Sequence, residues 1–155
     1  MITKEDVLKA QDNWAQAIVE IGSFKDNQAA CEKITTKLLD ELYAFYQGDI
    51  LFKPTKASAF QFRPDKVAAL SYFIGNNSSF PEDTGFALQP WTHVRFDNTG
   101  FLLKERSALA MGNYYFTDLN GGETKVEYTF AYIKDDAGKL KIELHHSSIP
   151  YAPAT

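Results

Sequence analysis

The chain has 155 residues, enough for one domain with one sizeable core. It is 45% hydrophobic and 23% charged, with a formal net charge of −4 and no run of Lys or Arg, which argues against a nucleic-acid partner. No apolar stretch is long enough to cross a membrane, and the single cysteine, Cys31, excludes an intrachain disulfide.

The N-terminus, Met1-Ile2-Thr3-Lys4-Glu5-Asp6, lacks the apolar core of a signal peptide and is too acidic for a transit peptide. The expectation is a cytoplasmic chain, or a plastid one from which a leader has been removed. Thr3 and Asp6 form a capping-box pattern at the head of a first helix. Val7, Ala10, Trp14, Ala17, Ile18 and Ile21 follow at helical spacing until Gly22 and Ser23. A second helix is predicted over 27–46, with the stripe Cys31, Ile34, Leu38, Leu42 and Phe45, stopped by Gly48. Cys31 on that stripe reads as a small buried hydrophobe rather than a nucleophile.

A short strand is predicted over 50–53, followed by an irregular stretch through Pro54, Thr55, Lys56 and Ala57. Pro64 opens a third, short helix over 65–74, closed by Gly75. The polar, turn-rich 76–85 segment reads as a surface loop. Strands then take over: 91–97, a turn at Asn98-Thr99-Gly100, and a long run over 101–117 with Gly112 inside it, the mark of a bulge or bend. A third strand is predicted over 125–134, where Val126, Tyr128, Phe130 and Tyr132 alternate, as core or as interface. Asp135 to Gly138 turns the chain into a last strand over 140–148, and Pro150 and Pro153 end regular structure.

Helices followed by an antiparallel meander make an α+β arrangement. A sheet with a bulge in its longest strand curls. The fold expected is a curved, mostly antiparallel sheet packed against N-terminal helices, one cone-shaped domain over 1–155 with an internal pocket.

Chemistry is expected at the end of the last strand. Strict alternation puts Ile142, Leu144, His146 and Ser148 on one face and Lys141, Glu143, His145 and Ser147 on the other. The first face is apolar until it reaches His146, so His146 and Ser148 are assigned to the interior and His145 to the opposite face. A lone histidine there is equally a hydrogen-bonded core residue or a dimer contact, and spacing alone leaves this open. Adjacent histidines on a strand point apart, and His93 is the only other one. This inventory is poor for a catalytic zinc, which wants three protein ligands; neither metal nor cofactor is expected.

Six stretches in order carry a family resemblance. They are Leu51-Phe52-Lys53-Pro54-Thr55-Lys56-Ala57, Ala69-Leu70-Ser71-Tyr72-Phe73, Pro90-Trp91-Thr92, Ala108-Leu109-Ala110-Met111-Gly112-Asn113-Tyr114, Val126-Glu127-Tyr128-Thr129-Phe130, and Leu144-His145-His146-Ser147-Ser148-Ile149-Pro150-Tyr151. As a set the chain resembles the iota-class carbonic anhydrases, a family with the nuclear-transport-factor-like cone and related to the association domain of calcium/calmodulin-dependent kinase II. Some members carry a third histidine before the pair, where this chain has Leu144.

The resemblance implies reversible hydration of carbon dioxide to bicarbonate, and the poor ligand inventory favours its metal-free branch. It implies Thr55, Tyr72 and Ser148 as hydroxyl donors to the growing charge, and His146 as the group that orients water and relays the proton. Phe52, Leu70, Phe73 and a ring from Tyr114 or Tyr115 are the apolar receivers of carbon dioxide. Taken singly, each has a plainer reading: Thr55 capping a turn, Tyr72 in the core with its hydroxyl at a rim. A non-catalytic assembly module and another small-molecule enzyme of the same superfamily are the alternatives. Cone-fold proteins of this kind pair through the exposed sheet face, which implies a homodimer.

Overall fold

The computed structural model describes residues 1–154. Helix α1 (Lys4–Ser23) begins where the Thr3 hydroxyl accepts from the Asp6 N–H at 3.1 Å and Asp6 accepts from the Thr3 N–H at 2.8 Å. Its buried stripe of Val7, Trp14, Ile18 and Ile21 lies on the sheet. Helix α2 (Gln28–Leu42) is capped by Asn27 and buries Cys31, Leu38 and Leu39. It is shorter than expected because Tyr43 leaves the helix in an extended conformation and bridges Ile142. The Ala44 N–H then donates to the Ile142 carbonyl at 2.8 Å, which draws the Tyr43 ring fully into the core. A single 3-10 turn, Phe45–Gln47, follows.

Strand β1 (Leu51–Lys53) and helix α3 (Lys66–Ile74) come next; Gly75 ends α3 at φ +67°, a conformation suited to glycine. The remaining strands are β2 (His93–Leu103), β3 (Ser107–Thr117), β4 (Glu123–Lys134) and β5 (Leu140–Ser148). They form one sheet in the order β1-β5-β4-β3-β2, antiparallel except for the parallel β1–β5 pair.

The reversal expected at Asn98-Thr99-Gly100 is instead a bulge inside β2, where the register with β3 slips between Asn98 and Gly100. Gly112 faces it, and a Cβ there would collide with the Asp97 carbonyl and stand 2.8 Å from the Thr99 nitrogen. The actual turn is the charged triplet Lys104-Glu105-Arg106, closed by the Lys104 N–H on the Ser107 carbonyl at 2.9 Å. Gln11 of α1 donates to both Asn98 and Tyr128 at 2.9 Å, which fixes the bulge to the helix layer.

The sheet curls around α1 and α2. Its concave face carries cross-strand rows such as Phe52–His145–Phe130–Ala110–Phe101. Tyr128, Phe130 and Tyr132 are buried, so the alternating face of β4 is core rather than interface.

Candidate active site

The end of β5 departs from simple alternation. Ala131 of β4 pairs with Leu144, but its neighbour Tyr132 pairs with Ile142, so Glu143 is an extra residue in β5. One extra residue inverts the faces of everything beyond it. His145 and Ser147 therefore enter the concave face, 2% and 1% exposed. The interior placement expected for His146 and Ser148 is corrected: His146 is exposed, and the Ser148 hydroxyl donates to Glu127 at 3.1 Å. His146 stands in the outer row Lys53–His146–Thr129–Met111.

The interior pair ends a continuous line of polar groups. The Trp14 indole N–H donates to the Tyr43 hydroxyl at 3.0 Å, and that hydroxyl lies 2.8 Å from His145 Nδ1. His145 Nε2 lies 3.0 Å from the Tyr114 hydroxyl, which is 2.5 Å from Ser147 Oγ. Ser147 Oγ is 2.6 Å from Thr55 Oγ1. Thr55 is half-buried, the one member of the line with access to solvent. Beside it, the buried Tyr72 hydroxyl accepts from the Lys56 N–H at 3.1 Å. Thr55 and Tyr72 are thus brought together with Ser147 and His145, from the loop after β1, from α3 and from β5.

Burial decides the charge states. Loss of solvent, aided by nearby His146, holds the His145 pKa well below the ordinary imidazole value, so the ring is neutral near pH 7. Loss of solvent also pushes the Tyr43, Tyr72 and Tyr114 phenols well above their ordinary range. The site is therefore a set of neutral donors and acceptors. Around it the rings close in: Phe52 stacks on His145 at 4.8 Å between centroids, and Phe73 stacks on Phe52 at 5.9 Å. Phe52 and Phe73 are buried, and Leu70 is partly so. Of the two candidate tyrosines Tyr114 faces the site, whereas Tyr115 lies under Arg95 on the other face.

The loop that carries Thr55 is clasped from both sides. Glu82 accepts from the backbone N–H groups of Ser58, Ala59 and Phe60 at 2.7, 3.2 and 2.8 Å. The Ser58 bond foremost, these N–H groups lower its pKa to about 2. Next to it the fully buried Arg63 makes two 2.7 Å bonds to Asp83, which also accepts from Ser71 of α3 at 2.6 Å. The 76–85 segment, expected as a plain surface loop, supplies both carboxylates. Asp83 is the buried carboxylate in this region, and Arg63 and Ser71 occupy it.

Trp14 and Tyr43 were not among the sequence candidates. Trp14 reads as one more member of a helical stripe, and the helix end that aims Tyr43 has no stop signal of its own. Cys31 donates to the Phe24 carbonyl at 2.9 Å and is buried, the small-hydrophobe reading. Among the described residues no three His, Cys, Asp or Glu side chains converge on one point.

A helix-capped curled sheet with hydroxyls and one imidazole gathered on its concave side defines a cone-fold protein with a buried polar cluster. A solved calcium/calmodulin-dependent protein kinase II association-domain protein from Xanthomonas campestris shares that fold, with a TM-score of 0.65 and 26% identity over 97% of this chain and 89% of that one. The model of the metal-independent carbonic anhydrase family matches residues 5–149. A curated metal-independent carbonic anhydrase from Nostoc sp. is 42% identical over 153 residues, 97% of this chain and 75% of that protein. The crystal structure of a cyanobacterial iota-carbonic anhydrase complexed with bicarbonate is 41% identical, with a TM-score of 0.94 over 98% of this chain and 94% of that one. This chain belongs to the metal-independent carbonic anhydrase family.

Proposed function

We propose that Thr55, Tyr72, Tyr114, His145 and Ser147 form the site at which this chain hydrates carbon dioxide reversibly to bicarbonate. The observation that carries this reading is the buried polar line that surfaces at Thr55 beside Tyr72, in a chain 41% identical to an iota-carbonic anhydrase crystallised with bicarbonate. Carbon dioxide is apolar until water adds to it, and the rings of Phe52 and Phe73 give it an apolar wall. As the new carbon–oxygen bond forms, charge moves onto the oxygens of the former carbon dioxide. Hydroxyls held at Thr55 and Tyr72 donate to that charge, and donors already fixed in place act with little reorganisation. In the reverse direction they hold bicarbonate by the same oxygens.

Stopped-flow hydration of carbon dioxide by chelated protein tests the assignment. Thr55→Val is expected to lower kcat/KM by roughly a hundredfold, the scale of a lost oxyanion donor, and Ser147→Ala by roughly tenfold, since Ser147 is buried and acts through Thr55. His146→Ala, altered on the outer face, is expected to stay within about threefold of the parent. Full activity in Thr55→Val would sink the site assignment. Absence of hydration by the unaltered protein, with or without added zinc, would sink the enzyme reading and favour a non-catalytic module.

A second copy of this chain is the partner proposed for the outer face of the sheet. Leu51, Leu144, Ala131, Leu109 and Leu102 form one cross-strand apolar row over all five strands. Leu51, Leu109 and Leu102 are 70%, 42% and 63% exposed, whereas Ala131 between them is buried at 8%, so the row is open at both ends of the sheet and shallow in its middle.

A further inference from the structure

We infer that Trp14 and Tyr43 lock the polar line in one direction, so that His145 stands as the neutral Nε2–H tautomer and Thr55 offers its own proton to the substrate. This deepens the hydration reading and rests on it. The argument is one of proton supply. An indole N–H has no lone pair to offer, so Trp14 can only donate to Tyr43. The Tyr43 hydroxyl is fully buried, and its polar partners are Trp14 and His145 Nδ1. Its single proton therefore has one acceptor within reach, Nδ1. Were Nδ1 protonated instead, the Tyr43 proton would be buried without a partner, an arrangement native interiors avoid.

The rest follows link by link. With Nδ1 accepting, a neutral imidazole carries its proton on Nε2, and that N–H donates to the Tyr114 hydroxyl. Tyr114 then gives its proton to Ser147 Oγ. Ser147 is 1% exposed and its hydroxyl has only Tyr114 and Thr55 as partners, so it donates to Thr55 Oγ1. Thr55, half-exposed, is left with its own proton to give at the solvent end of the line. The Tyr72 hydroxyl, whose oxygen accepts from the Lys56 N–H, lies beside Thr55, so the two hydroxyls share the open end of the line. Hydrogen bonds aligned in one chain polarise one another.

This changes the part expected of histidine. His145 is a positioning residue and has no vacant lone pair for a proton from water. When water adds to carbon dioxide, the carbon–oxygen bond forms and an oxygen–carbon π pair moves onto oxygen. The proton released from the attacking water passes to solvent water or a buffer base at the open Thr55 end. The products are bicarbonate and a protonated solvent or buffer molecule, and the balance closes without an internal acceptor.

The test is long-range 1H–15N correlation on protein carrying 15N-imidazole. The unaltered protein is expected to show His145 with a protonated Nε2 and a bare Nδ1, on both sides of roughly pH 6.5. Tyr43→Phe keeps the ring and removes the lock. It is expected to show a mixture with protonated Nδ1, and kcat lower by roughly tenfold with KM little changed. A protonated Nδ1 or an imidazolium in the unaltered protein overturns the inference, as does a Tyr43→Phe spectrum identical to the parent's. The spectrum is read without reference to turnover. An Nε2–H tautomer in a protein that does not hydrate carbon dioxide therefore counts against the hydration reading and for the lock.

Discussion

Thr55 meets solvent while every polar group behind it is buried, and that gradient governs how single residues answer to change. At the buried end sits His145, whose folded-state pKa lies well below the ordinary value because it has lost its solvent. In the unfolded chain the same imidazole titrates near 6.5. Below that pH the unfolded state takes up a proton that the folded state refuses. Folding stability therefore rises with pH through this window and is lost as pH falls below about 6.5, by roughly 1.4 kcal/mol per unit while the difference lasts. The lowered carboxylates at Asp6, Glu82 and Glu105 make their losses beneath their ordinary values, further down the scale. Urea denaturation between pH 6.5 and 5 is expected to show this slope in the parent and lose it in His145→Gln, even though the variant is less stable throughout. Equal slopes in the two proteins would place the titrating group elsewhere.

Elements decide which residues of a readable motif enter the site. The capping box and stripe of α1, the glycine that ends α3 and the alternation of β4 were legible, because each is a local rule with a local cause. The His-His-Ser-Ser sequence drew the expected site to the end of β5, yet the faces came out inverted. Glu143 sits in the sequence as an ordinary polar member of an alternating strand; its bulge exists because β4 pairs around it, which is a property of two strands. The turn read at Asn98-Thr99-Gly100 failed for the same reason, since only the facing Gly112 makes room for a bulge there. The clasp on the Thr55 loop was invisible too, because Glu82 lies more than a helix away from the N–H groups it gathers. Glu82→Gln keeps the shape and removes the charge that those N–H groups hold. Faster amide exchange at residues 58–60 is expected, with kcat/KM down several-fold through a less well placed Thr55. Unchanged exchange in these amides would show that Arg63 and Asp83 hold the loop without it. In the parent, the clasp is expected to loosen as pH drops below the ordinary glutamate value toward about 2.

At the scale of the whole molecule, the two faces of the sheet have opposite needs. The concave face is satisfied by α1, α2 and a dense set of rings. The outer face has no helix, and the apolar row from Leu51 to Leu102 is joined there by Met111 at 57% exposure. Isolated exposed leucines need no explanation, but leucines aligned by strand register on both sides of the buried Ala131 share one face. A twofold axis through such a face lets one copy place its row on the other's, so each patch covers its own likeness. The charges around it are of both signs: Arg95 pairs with Glu123, and Lys53 and Glu143 flank the β1–β5 end. Like patches rimmed by mixed charge can meet without a net repulsive field. Sedimentation equilibrium is expected to give twice the 17.5 kDa chain mass. Leu109→Glu puts a carboxylate at the centre of the row and is expected to return the mass to one chain while far-ultraviolet dichroism stays unchanged. A parent mass of one chain at micromolar concentration would remove the self-pairing role from this face. Because the polar line proposed as the site lies on the opposite side of the same strands, the monomeric variant is also expected to keep hydrating carbon dioxide within a few-fold of the parent. A larger loss would mean that pairing steadies β5 and, through it, His145 and Ser147.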